Sequence, residues 1–122
     1  MPLRTPMLFC ADESVAPWQR AFDNLEAGID LIAWPDWKIA PSAPYALVWR
    51  PPAGALKCFR SLRALFSLGA GVDHLKSDPY LPADIPVVRM ADDALVSGMV
   101  EYVLYCVLAV HRDMCRYAAQ QQ

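Results

Sequence analysis

Short apolar runs recur along the first ninety residues and are separated by charged or turn-rich segments. Five of them have the composition of buried strands: 6–11 (PMLFCA), 29–33 (IDLIA), 45–50 (YALVWR), 62–68 (LRALFSL) and 85–89 (IPVVR). Near-continuous apolar runs of this length are typical of parallel strands that are covered on both faces. Asp30 interrupts the second run, which we therefore expect nearer the edge of the sheet.

Helical segments alternate with these strands. Ser14 is suited to cap a helix that Gly28 would end, and its apolar face would carry Val15, Trp18, Phe22 and Leu25. A short helix is predicted over 53–59 and a proline-rich loop over 34–44. Because strands and helical connections alternate, the sequence predicts an α/β fold, a flavodoxin-like doubly wound parallel sheet of about five strands in the order 2-1-3-4-5.

The C-terminal segment predicts one long helix, from Asp92 or Asp93 to about Tyr117. Every residue from 99 to 110 except Glu101 is apolar, so the helix must be covered on more than one side, by another domain or another copy of the chain. The predicted division is 1–91 for the sheet domain and 92–122 for this helix. The apolar stretch is shorter than the ~20 residues that span a bilayer, so no membrane contact is expected.

Composition narrows the function classes. Apolar residues make up 56% of the chain, charged residues 20%, and the formal net charge is −2. No basic run alternates with aromatic residues, so binding to nucleic acid is not expected. The four cysteines lack metal-site spacing and are interpreted as reduced thiols of a cytoplasmic protein, and no metal site is predicted.

The segment 66–75 (FSLGAGVDHL) carries the chemistry. A strand ends in Gly69 and Gly71, which allow a sharp turn, and the amides that open the next helix point outward, as in a cradle for a carboxylate or phosphate. His74 stands where the dinucleotide fingerprint G-x-G-x-x-G has its third glycine, so this is not a nucleotide motif. Two interpretations remain open: an anion cradle, or a tight turn without a ligand.

Other polar residues have simpler structural interpretations. His74 is expected to be exposed at the start of a helix, and Asp92 and Asp93 to cap the long helix. His111 is expected to be solvated or at an interface. Glu101 is either a surface residue or, as we favour, the partner of an arginine at an interface. No catalytic residue is assigned.

Several motifs occur together in a fixed order. The chain resembles the glyoxylate/hydroxypyruvate reductase branch of the D-2-hydroxyacid dehydrogenases, closely over 46–121 and loosely before it. The motifs are Trp49-Arg50-Pro51-Pro52, then 65–73 (LFSLGAGVD), 86–92 (PVVRMAD), 99–102 (MVEY), His111-Arg112 and Tyr117.

The resemblance implies a substrate-binding domain for a small 2-oxo or 2-hydroxy acid. Its site residues would be those of the 69–72 turn, whose amides at Ala70, Gly71 and Val72 would bind the carboxylate, with Gly69 beside them. Trp49 would wall the pocket, and Arg50 lies next to it. The helix over 93–117 would pack on the cofactor domain and form a homodimer or a higher oligomer.

Members of this family are more than twice this length and reduce 2-oxo acids with NAD(P)H. Their nicotinamide-binding domain and their catalytic Arg, Glu and His have no counterpart in these 122 residues. We therefore expect a truncated chain that binds no cofactor and is inactive alone, because hydride transfer requires the cofactor beside the substrate. The alternative is a non-enzymatic flavodoxin-like module that dimerises or binds a partner through the long helix.

Overall fold

The structure, a computed structural model, describes residues 3–121, which form two compact units that divide after Met90. The first unit contains β1 (Thr5–Cys10), α1 (Val15–Asn24), β2 (Ile29–Ala33), a 3₁₀ turn (Asp36–Ile39), β3 (Tyr45–Val48), β4 (Ala64–Ser67), α2 (Asp73–Lys76) and β5 (Val87–Arg89). The second contains α3 (Asp93–His111) and α4 (Met114–Gln120). The predicted division of function between the two parts stays a prediction.

The five strands form one parallel sheet in the order β2-β1-β3-β4-β5. This confirms the predicted flavodoxin-like order and the position of β2 at an edge. The reversal of strand order lies between β1 and β3, which is where doubly wound sheets form a crevice at the carboxyl ends of their strands.

The core lies on both faces of the sheet because successive side chains of β1 point to opposite sides. Met7 and Phe9 pack with residues of α1, whereas Leu8 and Cys10 pack with the connecting segments. Trp37 contributes the largest fully buried side chain, and its indole N–H donates to the carbonyl of Phe9 at 3.2 Å. The segment predicted as a loop over 34–44 therefore supplies part of the core.

Helix α1 begins as predicted but ends early. The hydroxyl of Ser14 accepts a hydrogen bond from the N–H of Ala16, which confirms the cap. The helix ends at Asn24, because Glu26 adopts a left-handed conformation with φ of 50°, and Leu25 is 77% exposed. The expectation that Leu25 belongs to the buried helix face is therefore wrong.

The side chain of Gln19 ties α1 to the edge strand β2. Its amide donates to the carbonyl of Ile29 at 3.0 Å and accepts from the N–H of Leu31 at 2.8 Å. These bonds occupy backbone groups that an edge strand leaves unpaired and that could otherwise recruit a foreign strand.

Two predicted helices differ from the structure. Residues 53–59 form consecutive turns with i to i−3 bonds, such as Ala55 N–H to Pro52 at 3.0 Å, because Gly54 adopts φ of +73°. The long helix is interrupted at Asp113, whose φ of 52° is incompatible with a helix interior. Helix α3 therefore has 19 residues and a length of about 28 Å.

Helix α3 is apolar and exposed within the described chain. Asp92 caps it as predicted and accepts from the N–H of Ala94 at 3.0 Å. Eleven large apolar side chains between Leu95 and Val110 are 49% to 84% exposed. By length and composition alone α3 could cross a membrane. The expectation of no membrane contact, which rested on the shortness of the apolar stretch, therefore loses its support. Apolar helices at protein interfaces have the same composition.

Candidate functional site

Parallel pairing brings the predicted site residues to one edge of the sheet. The 69–72 turn follows β4, and Trp49 and Arg50 follow the neighbouring strand β3. The strand ends are joined by backbone bonds, from Leu68 N–H to the carbonyl of Val48 at 3.1 Å and from Trp49 N–H to the carbonyl of Cys10 at 2.6 Å. The site therefore lies at the carboxyl ends of β1, β3 and β4.

The turn is stabilised by one buried hydroxyl. Ser67 is 4% exposed; its Oγ accepts from the N–H of Gly69 at 3.3 Å and donates to the carbonyl of Gly71 at 3.5 Å. The N–H groups of Ala70, Gly71 and Val72 have no acceptor among residues 3–121, and Ala70 and Gly71 are exposed. Three consecutive amides are thus free to bind a ligand, whereas that of Gly69 is already engaged.

The helix after the turn contributes little to such a cradle. Helix α2 is a single turn of four residues, Asp73–Lys76, so its dipole is small, and Asp73 places a negative charge in that turn. Binding of an anion would therefore depend on the amides of the loop. The helix that follows would stabilise the anion less than the sequence suggests.

Arg50 is held in a strained backbone conformation beside Trp49. Its φ is 51°, in the left-handed region, which costs a non-glycine residue about 1–2 kcal/mol. Strain of this kind persists where the surrounding structure holds it and often occurs at functional sites. The side chain is exposed, which leaves the guanidinium free to meet an anion.

His74 lies at the start of a helix, as the sequence predicts, but it is partly buried rather than exposed. Its imidazole packs against the indole of Trp49 with 4.7 Å between ring centroids, and its Nε2 is buried without a hydrogen-bond partner among the described residues. Burial lowers the pKa of His74 below its ordinary value of 6.5; the positive charge of Arg50 lowers it further, and the negative charge of Asp73 acts in the opposite direction. His74 is accordingly neutral at pH 7.

A pocket of about 210 Å³ lies next to Trp49 and Arg50, at the reversal of strand order. The sequence reasoning missed several of its lining residues, which lie at or just after the carboxyl ends of β1 and β2. What these residues share is their position at the carboxyl ends of neighbouring strands, which can be recognised only when the strand order is known. The missed residues are Cys10, Asp12, Glu13 and Trp34.

One of the lining residues, Cys10, is not a thiolate nucleophile. Burial, followed by the charge of Asp12, raises the pKa of its thiol.

Comparison with known proteins identifies relatives that are longer than this chain. No family model matches. The glyoxylate/hydroxypyruvate reductase A of Yersinia enterocolitica is 40% identical over 93 residues, covering 70% of this chain and 30% of the relative. The protein of the same name from Citrobacter koseri is 38% identical over 107 residues, covering 84% of this chain and 34% of the relative. The chain thus spans about a third of the length of these relatives.

Solved structures extend the likeness to nearly the whole chain. A D-isomer specific 2-hydroxyacid dehydrogenase from Xanthobacter autotrophicus Py2, in complex with NADPH and MES, superposes with a TM-score of 0.79 and 31% identity and covers 97% of this chain and 39% of that one. An NADPH-dependent glyoxylate/hydroxypyruvate reductase from Sinorhizobium meliloti, in complex with NADP and sulfate, gives a TM-score of 0.74 at 28% identity and covers 95% and 38%.

The fold, the strand order and these relatives define the class as a parallel α/β domain of the kind found in D-2-hydroxyacid dehydrogenases. The chain belongs to the D-2-hydroxyacid dehydrogenase family, and its sequence relatives are glyoxylate/hydroxypyruvate reductases, which confirms the resemblance found in the sequence.

Proposed function

We propose that this chain is the substrate-binding part of an NAD(P)H-dependent reductase of small 2-oxo acids such as glyoxylate and hydroxypyruvate. In this proposal the free N–H groups of Ala70, Gly71 and Val72 bind the carboxylate. The observation that carries it is that these three amides have no acceptor among the described residues and that two of the three residues are exposed. Successive backbone N–H groups without an acceptor suit an anion, because fixed backbone dipoles can stabilise its charge.

The charges around the turn favour binding of an anion at its amides. Arg50 lies close enough to lower the pKa of His74, so its positive charge acts on this part of the sheet edge. Asp73 opposes it from the other end of the turn. A carboxylate held by the amides would be attracted by the first and repelled by the second, which supports binding at Ala70–Val72 rather than further along α2.

The described residues do not fit a nicotinamide dinucleotide. The connection from β1 to α1, residues 11–14 (ADES), has no glycine to admit a pyrophosphate, and α2 is a single turn. The cofactor of the family would therefore be held by other parts of a full-length protein. This chain's contribution is to bind and orient the acid, and we expect the 122-residue chain by itself to bind an acid without reducing it.

Titration of the ¹⁵N-labelled chain with oxalate, an unreactive analogue of glyoxylate, tests the proposal. We expect saturable shifts of the backbone amides of Ala70, Gly71 and Val72, because a carboxylate acceptor deshields the N–H groups that it binds. Oxamide, the uncharged diamide of the same shape, is the matched control and should cause no such shifts. Added NADPH and glyoxylate should give no loss of nicotinamide absorbance with this chain.

The result that would reject the proposal is equally specific. If oxalate leaves these three amides unmoved, or if oxamide shifts them as strongly, the turn is not a carboxylate site. We also expect added salt to lower the affinity for oxalate. Interactions between exposed charges are screened beyond about 10 Å in 0.1 M salt.

A second candidate, a dimerisation or partner-binding module, is favoured by α3. Its groove of about 510 Å³ is lined only by apolar side chains, and exposed apolar area of this kind marks an interaction surface. We propose that α3 joins two copies of the chain in solution, as the predicted homodimer requires. Binding of an acid and self-association are compatible, so the two candidates are tested separately. The lining residues are Leu95, Val96, Met99, Val100, Val103 and Leu104.

A further inference from the structure

The indole of Trp49 touches both ends of the glycine turn. A methyl group built on Gly69 would lie 2.2 Å from Cζ3 and 2.8 Å from Cη2 of the indole, far inside van der Waals contact. At the other end, the imidazole of His74 lies 4.7 Å from the indole between ring centroids, at an interplanar angle of 60°. The position of this wall is therefore coupled to the turn whose amides face the proposed acid.

The requirement for glycine at position 69 is one of space. Its φ is not in the left-handed region, so an alanine could adopt the same backbone. The N–H of Gly69 is anchored to Ser67, which keeps its Cα beneath the indole. Any side chain at this position must therefore displace Trp49 or distort the turn.

His74 is held by packing rather than by hydrogen bonds of its ring. Its Nε2 is buried and has no partner among the described residues, which is an unfavourable arrangement for a polar atom. The ring contact that the structure does give is the one with Trp49. Placing the imidazole there has the effect of fixing the indole.

We propose that Gly69 and His74 are positioning residues that hold the Trp49 indole at the edge of the carboxylate cradle and thereby favour small 2-oxo acids over bulky ones. This inference rests on the proposed function. In this proposal the indole closes the space in which the substituent of the acid would lie, so that moving it outward would remove contacts with a two-carbon acid and make room for a larger one.

Two substitutions test the role from opposite ends of the turn. Gly69→Ala pushes the indole away, and His74→Ala removes its support. A third substitution, His74→Phe, is the conservative variant, because it retains an aromatic ring beside the indole. Controls of the same chemistry lie outside the site: Gly98→Ala adds a methyl group in open space, and His111→Ala removes an exposed imidazole.

Two measurements on the 122-residue chain separate positioning from loss of structure. The first is the Trp49 indole N–H resonance without ligand, which reports the indole directly. The second is the ratio of the affinities for oxalate and benzoylformate, an aromatic 2-oxo acid. We expect Gly69→Ala and His74→Ala to move the resonance and to weaken oxalate binding roughly tenfold, the effect of about 1.4 kcal/mol. Benzoylformate binding should strengthen, because the displaced indole leaves room for its ring, and His74→Phe should keep the values of the unchanged chain.

The outcomes distinguish this inference from the function on which it rests. If the unchanged chain does not bind oxalate at the turn, the proposed function fails and the inference fails with it. If oxalate binds normally but the indole resonance stays in place in both variants, the inference alone is overturned. Equal weakening of both acids also overturns it, because a merely structural role would lower both affinities together.

Discussion

The three residues around the glycine turn differ in how far local sequence determines them. Ser67 lies at the end of a strand, and its hydroxyl bonds to backbone only two and four residues away, so its role is local. Trp49 and His74 meet only because β3 and β4 pair in parallel with Val48 opposite Ser67. This contact joins residues that are more than twenty positions apart in the sequence. The residues next to His74 in the sequence do not reveal it, which explains why its exposure was predicted wrongly.

The burial of His74 should make the stability of the chain depend on pH. Its folded pKa lies below the ordinary value of 6.5, so the unfolded chain takes up the proton first as the pH falls. The stability that the neutral imidazole contributes is therefore complete above pH 6.5 and is lost progressively below it. The charged groups that act on this imidazole are Arg50, which strengthens the effect, and Asp73, which weakens it.

The measurement is the free energy of unfolding in urea at about pH 7.5 and about pH 5.5, a range in which histidine is the titrating side chain. The unchanged chain should lose more stability over this range than His74→Phe, in which the titrating group is gone but the aromatic contact is kept. His111→Phe makes the same substitution at the exposed histidine of α3 and is the control for the loss of an imidazole as such. Equal slopes in the unchanged chain and His74→Phe would contradict the burial of this imidazole.

At the scale of elements, the sequence was sufficient where local chemistry determines the structure. Strand β2 begins and ends at the predicted residues, and the caps Ser14 and Asp92 are where the pattern predicted them. It was insufficient where a single residue adopts a left-handed conformation. Gly54 prevents the helix predicted over 53–59, and Asp113 divides the long C-terminal helix. Glycine and aspartate both tolerate this conformation, but the residue type does not determine at which of its positions it is adopted.

Helix α3 has one face that is more apolar than the other. At 100° per residue, Val96, Val100 and Val103 fall on the side of the groove, whereas Glu101 and Tyr105 fall on the opposite side. If α3 joins two copies of the chain, the groove is the part that favours the contact, because the residues that line it carry no charge.

We expect Val103→Glu to weaken self-association roughly a hundredfold, since leaving an unpaired charge in a buried contact costs about 3 kcal/mol or more. Tyr105→Glu places the same charge on the opposite face and serves as the matched control, with little effect expected. Sedimentation velocity over a concentration series measures both. A chain that is monomeric before any substitution, or that partitions into neutral lipid vesicles through α3, would contradict a dimer interface on this helix.

At the scale of the whole molecule, the two units differ in how they are stabilised. The first has a core on both faces of its sheet that includes Leu8, Trp37 and Leu65, all almost fully buried. In the second, α3 and α4 contribute no buried residue within the described chain. The proposed acid site, from Trp49 to His74, belongs entirely to the first unit.

Because the core and the site lie in the same unit, residues 1–90 should fold without the two helices and should still bind oxalate. A chain shortened to these residues is expected to unfold in urea in one cooperative step, as small domains with a single core do. It should also show the oxalate shifts at Ala70, Gly71 and Val72, with an affinity within about a factor of two of the 122-residue chain. The same chain with Leu65→Ala is the control, since removing a buried leucine costs about 2–5 kcal/mol and should lower the stability sharply. A 1–90 chain that is cooperatively folded but no longer binds oxalate would show that the acid site requires the C-terminal helices. One that fails to fold would show that these helices stabilise the sheet despite contributing no buried residue of their own.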